Sequence, residues 1–371
     1  MQLRSMTVAG LFGRNGSISV NFNDDLNIIT GRNGSGKTTL IKLAWMIMSG
    51  NILLALKEVQ FKVCNIVTSD YSCTVIRTGP MHCRVEFDID GEFYLFEDDE
   101  DDDGSGFGES AEDKASERLI PIGGSIFFPT FRRIEGGFSL SSDYQSSAVN
   151  RLRQTPRQES EADQAIAAVS RKLSKADHIF VSAISTQDVV GLLLKRYAAL
   201  SEEISSFQAD VSRSVIDKIR RFENTQGYGE SADALLSETR SEIEKIEQFR
   251  QVAMSPLDAI RQLVEKLFKH SGISFGKRLN FGDAAAAISS EALSAGEKQM
   301  LSFICYNAFQ RNSVIFIDEP ELSLHVDWQR QLYSILSSQG SGNQFIFATH
   351  SPFIYGKYPD KEVVIGSDRG E

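Results

Sequence analysis

The chain has 371 residues, 41% of them apolar, and a formal net charge of −11. That length and apolar content can build more than one compact unit, while the acidic balance argues against a protein that coats itself in nucleic acid, so any such contact is expected to be local. The most apolar stretch, residues 43–56, is broken by Ser49-Gly50-Asn51 and is too short to cross a bilayer; with no secretory leader at its start, the chain reads as cytoplasmic and without a membrane partner.

In chain order, the first informative element is the β-prone run Leu26–Thr30, followed by a helix-prone run at residues 39–48. Between them lies Gly31-Arg32-Asn33-Gly34-Ser35-Gly36-Lys37-Thr38-Thr39, which fits the spacing G-x-x-x-x-G-K-[ST]. A strand that feeds a glycine loop opening a helix aims several N–H groups and the positive helix end at one point. The expectation is a nucleoside triphosphate site, with Lys37 reaching the outer phosphates and Thr38 holding Mg²⁺. Residues 84–89 and 92–96 alternate across Asp90-Gly91, a hairpin signal. Residues 97–103 are all acidic and predict a solvated loop, with a docking site for a basic partner as the alternative. A short apolar strand at 125–128 then ends at Pro129, ahead of a turn containing Arg132-Arg133.

From about residue 158 to 269 glycine and proline become scarce, and apolar residues such as Val190, Leu193, Leu194, Tyr197 and Leu200 recur at helical spacing. Tyr228-Gly229 reads as the turn between two helical arms. Heptads are not sustained, so a short helical lobe is expected rather than an extended coiled coil. The last hundred residues return to α/β character, with strands at 314–317, 344–348 and 362–365. The predicted layout is a first α/β part at 1–157, a helical insertion at 158–270 and a second α/β part at 271–371. The four cysteines form no C-x-x-C pair, which predicts free buried thiols.

Four elements beyond the glycine loop carry chemistry. Ser294-Ala295-Gly296-Glu297 opens an apolar helix as an S-x-x-E capping box, and its serine, glycine and bare helix end form an anion site. The strand at 314–317 runs into Asp318-Glu319-Pro320, where Asp318 is placed to hold Mg²⁺ or its water and Glu319 to orient or deprotonate an attacking water. Next comes Glu321-Leu322-Ser323-Leu324-His325. Finally, the strand ending at Ala348 leads into Thr349-His350, and His350 is a candidate contact to the γ-phosphate.

Taken in this order, the elements resemble the ABC-type ATPase head, in the branch that includes SMC, Rad50 and the OLD-like proteins. Gly31, Arg32, Asn33, Gly34, Ser35, Gly36, Lys37, Thr38 and Thr39 resemble Walker A. Residues 293–299 resemble the ABC motif, 315–319 Walker B, 321–325 the D-loop and His350 the switch histidine. The resemblance implies a P-loop NTPase head with mixed sheets, interrupted by a helical-hairpin insertion. It further implies that two heads sandwich ATP, so that Lys37, Thr38, Asp318, Glu319 and His350 of one head meet Ser294 and Gly296 of another. A homodimer or higher homo-oligomer is therefore expected, with ATP and Mg²⁺ as cofactors and Lys37, Glu319 and His350 as the catalytic residues. A Q-loop glutamine is not evident, Gln145 being the only candidate, and Phe12 is the candidate for stacking on adenine.

Three biological classes compete. A transporter ATPase is disfavoured by the long separation of Lys37 from Ser294. A DNA-repair or chromosome-maintenance clamp would need a basic face, for which Arg213, Lys218, Arg220 and Arg221 are candidates. The run from Glu319 to Gln329 resembles the OLD-like AAA ATPases of anti-phage modules such as PARIS, Septu and retron-associated systems. That resemblance implies an ATP-loaded sensor or scaffold that controls a separate effector, a nuclease or toxin.

Overall fold

The computed structural model describes residues 1–98, 109–130, 133–134, 168–184, 186–224, 232–267 and 294–366. The acidic run beyond Asp98, Arg132, Gln145 and Tyr228-Gly229 lie outside them. The chain divides into two compact units, one of residues 1–185 with 294–371 and the other of residues 186–293.

The first unit is α/β and holds two six-stranded sheets. Strands β1 (Leu3–Ala9), β2 (Ser17–Asn21), β4 (Val63–Thr68), β5 (Tyr71–Arg77), β6 (Cys83–Ile89) and β7 (Glu92–Phe96) form an antiparallel sheet in the order β2-β1-β4-β5-β6-β7. Residues alternate between buried and accessible along β4, β5 and β6, as a half-buried sheet requires. The β6–β7 hairpin turns at Asp90-Gly91, both with positive φ (53° and 81°), so glycine removes the steric penalty at the second position.

The second sheet is parallel: β3 (Leu26–Thr30), β8 (Ser125–Phe128), β10 (His178–Phe180), β12 (Val314–Asp318), β13 (Gln344–Ala348) and β14 (Glu362–Val364), in the order β10-β8-β12-β13-β3-β14. Its central strands are buried at every position, and β-branched and aromatic residues dominate them, with Asn27, Ser125 and Gln344 as buried polar exceptions ahead of Asp318. A two-stranded pairing of β9 (Arg133–Ile134) with β11 (Ala183–Ile184) completes the strands among the described residues.

Helix α1 (Lys37–Met48) is apolar on nearly every side and carries nine buried residues. It belongs to one cluster with Val8, Ile66, Val75 and Phe87 of the antiparallel sheet and Phe127, Phe316 and Ile346 of the parallel sheet. Trp45 lies at its centre, with ring centroids 5.7 Å from Phe127 and 5.3 Å from Phe180. One buried side chain joins the sheets through main-chain atoms. Gln344 of β13 accepts from Leu3 N at 2.7 Å and donates to Leu3 O at 2.8 Å and Asn23 O at 2.7 Å. The remaining helices of this unit include α2 (Ile52–Glu58) and α3 (Ala111–Leu119).

The second unit holds α4 (Thr186–Asn224) and α5 (Ala232–Leu267), of 39 and 36 residues, or about 58 and 54 Å. They pair through Phe207 and Phe249, stacked at 4.4 Å, and through Lys218, which bridges Glu238 at 2.7 Å and Glu242 at 3.4 Å. Cys64, Cys73, Cys83 and Cys305 are free and buried. Among the described residues no helix is long and apolar enough to cross a membrane.

Candidate functional site

The parallel register brings the carboxyl ends of the central strands to one level: Ile29 pairs with Ala348, Ala348 with Asp318, and Ile317 with Phe128. Ligands of open α/β sheets bind beyond these ends, and the motif residues gather there. After β3, Gly31, Gly34 and Gly36 take positive φ values of 148°, 77° and 101°, and the chain turns tightly into α1. Gly31 is needed for space as well, because a Cβ there would lie 2.4 Å from Ile365 O and 2.9 Å from Ser35 Oγ. Gly34 faces open space.

Lys37, the first residue of α1, is 6% exposed. Its Nζ donates to Gly31 O at 3.0 Å and lies 2.6 Å from His350 Nε2. Burial is the chief influence on its ammonium and lowers the pKa, against the pull of Glu319, Asp318 and Glu321. Next in the chain, Thr38 donates from Oγ1 to Asp318 Oδ1 at 2.9 Å. The other Asp318 oxygen accepts from Thr130, which follows β8. Asp318 itself is 1% exposed at the end of β12. Glu319 holds a left-handed backbone (φ 46°), and its N–H donates to Ala348 O at 2.8 Å. Burial raises the Glu319 pKa, with Asp318 and Glu321 adding to the rise and His350 and Lys37 opposing it.

Lys37, Thr38, Asp318, Glu319 and His350 are thus brought together, and Thr130 joins them. Thr130 carried no signal of its own in the sequence; only the pairing of β8 with β12 places it beside Asp318. Of the remaining loop residues, Arg32, Asn33 and Gly34 are exposed, whereas Ser35 and Thr39 are half-buried. Phe12 lies on a 3-10 turn (Leu11–Gly13) with φ 56°. With Asn33, Gly34 and Ser35 it lines a cleft of about 440 Å³. A Cβ on Gly36 would come within 3.0 Å of its ring.

Ser294 and Gly296 belong to helix α6 (Ala295–Phe309), and the capping box forms in full. Ser294 Oγ accepts from Glu297 N at 3.3 Å, and the Glu297 carboxylate accepts from Ser294 N at 2.7 Å. Ser294 is bonded within this helix, and Gly296 faces the loop after β12. Gly296 lies so close to that loop that a Cβ would fall 2.3 Å from Ser323 O. Gln299 of α6 donates to Pro320 O at 3.0 Å. After this loop comes α7 (Val326–Ser337).

The donor set fits Mg²⁺ and a polyphosphate. A glycine loop with positive φ leads into a free helix end, a lysine ammonium sits inside it, and a hydroxyl–carboxylate pair of hard oxygen donors stands beside it. Ser35 Oγ, buried in the loop with no hydrogen-bond partner among the described residues, is a further polar atom available to such a group.

No curated protein matches the chain. Among solved structures, it is similar to the Smc head domain with an extended coiled coil from Pyrococcus furiosus, bound to the C-terminal domain of ScpA. The two are 15% identical over 96% of this chain and 91% of that chain, at a TM-score of 0.38. A SmcHead bound to the C-winged helix domain of ScpA is 11% identical, covering 100% of this chain and 95% of that chain at 0.39. The SMC head domain from Thermotoga maritima is 12% identical, with 96% and 92% covered at 0.35. Residues 26–355 match the family model described as "AAA domain, putative AbiEii toxin, Type IV TA system". That span runs from the strand entering the glycine loop to the short helix after His350, and the chain therefore belongs to this family of P-loop AAA ATPase domains.

Proposed function

We propose that the chain hydrolyses ATP, pairs with further copies through nucleotide held between heads, and controls a separate effector in anti-phage defence. The observation that carries the ATPase part is the convergence of Lys37, Thr38, Asp318, Glu319 and His350 at the carboxyl ends of three neighbouring strands. Bound Mg-ATP supplies the scissile phosphoanhydride and the metal's charge. Lys37 then releases the Gly31 carbonyl and turns its ammonium to the outer phosphates. Thr38 and Asp318 are the residues that would hold the metal. Glu319, with its raised pKa, takes a proton from the attacking water, and His350 provides a polar contact to the γ-phosphate. Phe12 serves as the platform for the base. Ser294 and Gly296 act on the nucleotide of a second copy, which makes pairing a requirement for turnover.

The defence role is supported by the family description, which names a toxin of a type IV TA system, and by the sequence resemblance of the segment that starts at Glu319. The effector, a nuclease or toxin, is a separate protein in this reading. A chromosome-maintenance clamp is the alternative, and the paired helices α4 and α5 favour it. The test is to purify Glu319→Gln with Mg-ATP from cells carrying the neighbouring genes, then measure the mass of the complex and its nucleic-acid content. A stoichiometric second protein without nucleic acid is expected. A bare dimer protecting nucleic acid overturns the effector reading, and a monomer that binds no ATP overturns the pairing.

A further inference from the structure

The loop between β12 and α7 and the loop after β13 are fastened to each other by one carboxylate. Glu321 Oε2 accepts from Thr349 Oγ1 at 2.8 Å, and Glu321 Oε1 accepts from His350 N at 2.8 Å. Two successive donors are therefore held by the two oxygens of one side chain. Thr349 is fully buried, and its hydroxyl oxygen accepts in turn from Ser351 N at 2.9 Å. Both loops have further anchors. Ser351 Oγ donates to Gln329 Oε1 at 2.6 Å, Gln329 Nε2 donates to Leu324 O at 2.8 Å, and Gln299 Nε2 reaches Pro320 O. The main chain on each side of His350 is fixed, while its exposed ring meets Lys37 Nζ at 2.6 Å. Because a lysine ammonium only donates, a Lys37–His350 hydrogen bond requires Nε2 to accept and the ring to carry its proton on Nδ1.

We propose that Glu321 is a positioning residue: its bidentate hold on Thr349 and the His350 amide sets where the imidazole stands relative to Lys37, and through it the geometry of hydrolysis. The proposal rests on the ATPase reading for its catalytic consequence, but the hold itself exists without nucleotide. A carboxylate is the suited group because two donors need two acceptors. A glutamine presents one acceptor and turns an amino group toward the second donor, and an alanine presents none. Mispositioning of about 1 Å is enough to cost on the order of 100-fold in rate while leaving ground-state binding almost untouched.

The test compares wild type, Glu321→Gln, Glu321→Ala, His350→Ala and the Glu321→Ala/His350→Ala double variant. Glu321→Gln keeps the side-chain volume, so it covers the case in which alanine unfolds the loop. Expected are a kcat about 10-fold lower for Glu321→Gln and about 100-fold lower for Glu321→Ala, with Kd for ATP within about 3-fold of wild type. The double variant should be no slower than His350→Ala, since both substitutions remove one arrangement. A second readout needs no nucleotide: in ¹⁵N-histidine-labelled protein, the His350 ring, identified by its loss in His350→Ala, should report an accepting Nε2. In both Glu321 variants that signature should give way to exchange between tautomers. An unchanged His350 signature, or kinetic losses that add to those of His350→Ala, overturns the proposal. If wild type neither binds nor hydrolyses ATP, the ATPase reading fails, and the nucleotide-free signature still decides the role of Glu321.

Discussion

Replacing Gly296 by alanine sets two effects of opposite sign against each other. Gly296 is the second residue of α6, and helix propensity alone would make alanine more stable than glycine by about 1 kcal/mol. The added Cβ, however, would lie 2.3 Å from Ser323 O. An ordinary carbon–oxygen contact needs roughly 1 Å more, and the obstacle is backbone rather than a side-chain tip. Overpacking of this kind costs about 1–3 kcal/mol, and Ser323 has little freedom to yield because its own φ is 67°. With an obstacle of backbone the clash wins, leaving a net destabilisation of up to about 2 kcal/mol and a Tm lowered by up to a few degrees. The displaced loop carries Glu321, so ATP turnover should fall as well. The assay is thermal unfolding of nucleotide-free protein alongside steady-state ATPase. A Gly296→Ala protein with unchanged or raised Tm but lost turnover would refute the argument from crowding, and would leave Gly296 with a role toward a second copy alone.

Further outcomes are expected from the same geometry. Lys37→Ala should abolish binding of a fluorescent ATP analogue without preventing folding, and retained affinity would remove Lys37 from the phosphate site. Glu319→Gln should raise Tm near pH 7.5, because the folded carboxyl binds its proton more tightly than an unfolded one. That preference stabilises the fold where the group is protonated and is lost as pH rises through the folded pKa, so the gain should fade on acidification below the usual carboxylate range. A Tm difference independent of pH would contradict it. Gln344→Leu leaves Leu3 N–H and C=O without their partner in a buried setting, which should cost about 2–5 kcal/mol by denaturant unfolding; a loss below about 1 kcal/mol would show that the two sheets are held by packing alone.

Local order was readable where one stretch of chain determined it. Leu26–Thr30 and Gln344–Ala348 appear at the expected bounds, the Asp90-Gly91 turn joins the expected hairpin, and Ser294 with Glu297 closes the capping box. Each rests on neighbours within a few residues. The pairing order of the parallel sheet had no such signal. That β13 lies between β12 and β3 decides that His350 meets Lys37 across 313 positions, and no periodicity encodes it. The same holds for Thr130 on Asp318 and for the glutamine that bonds Leu3 from the other sheet. Glu321 was visible as part of a motif, yet its two-pronged hold on Thr349 and His350 emerges only once both loops stand at the same sheet end.

Helix α1 is walled in by both sheets, and this restricts how a nucleotide signal can leave the loop that precedes it. A helix buried all round Trp45 has no free face along which to slide or roll, since either movement would open cavities in the core. Its amides in the second and third turns should exchange with solvent only when the whole α/β unit unfolds, with or without ATP. Nucleotide-dependent protection is expected instead in residues 319–325 and 349–351, so an exchange experiment should show a silent helix flanked by two responsive loops.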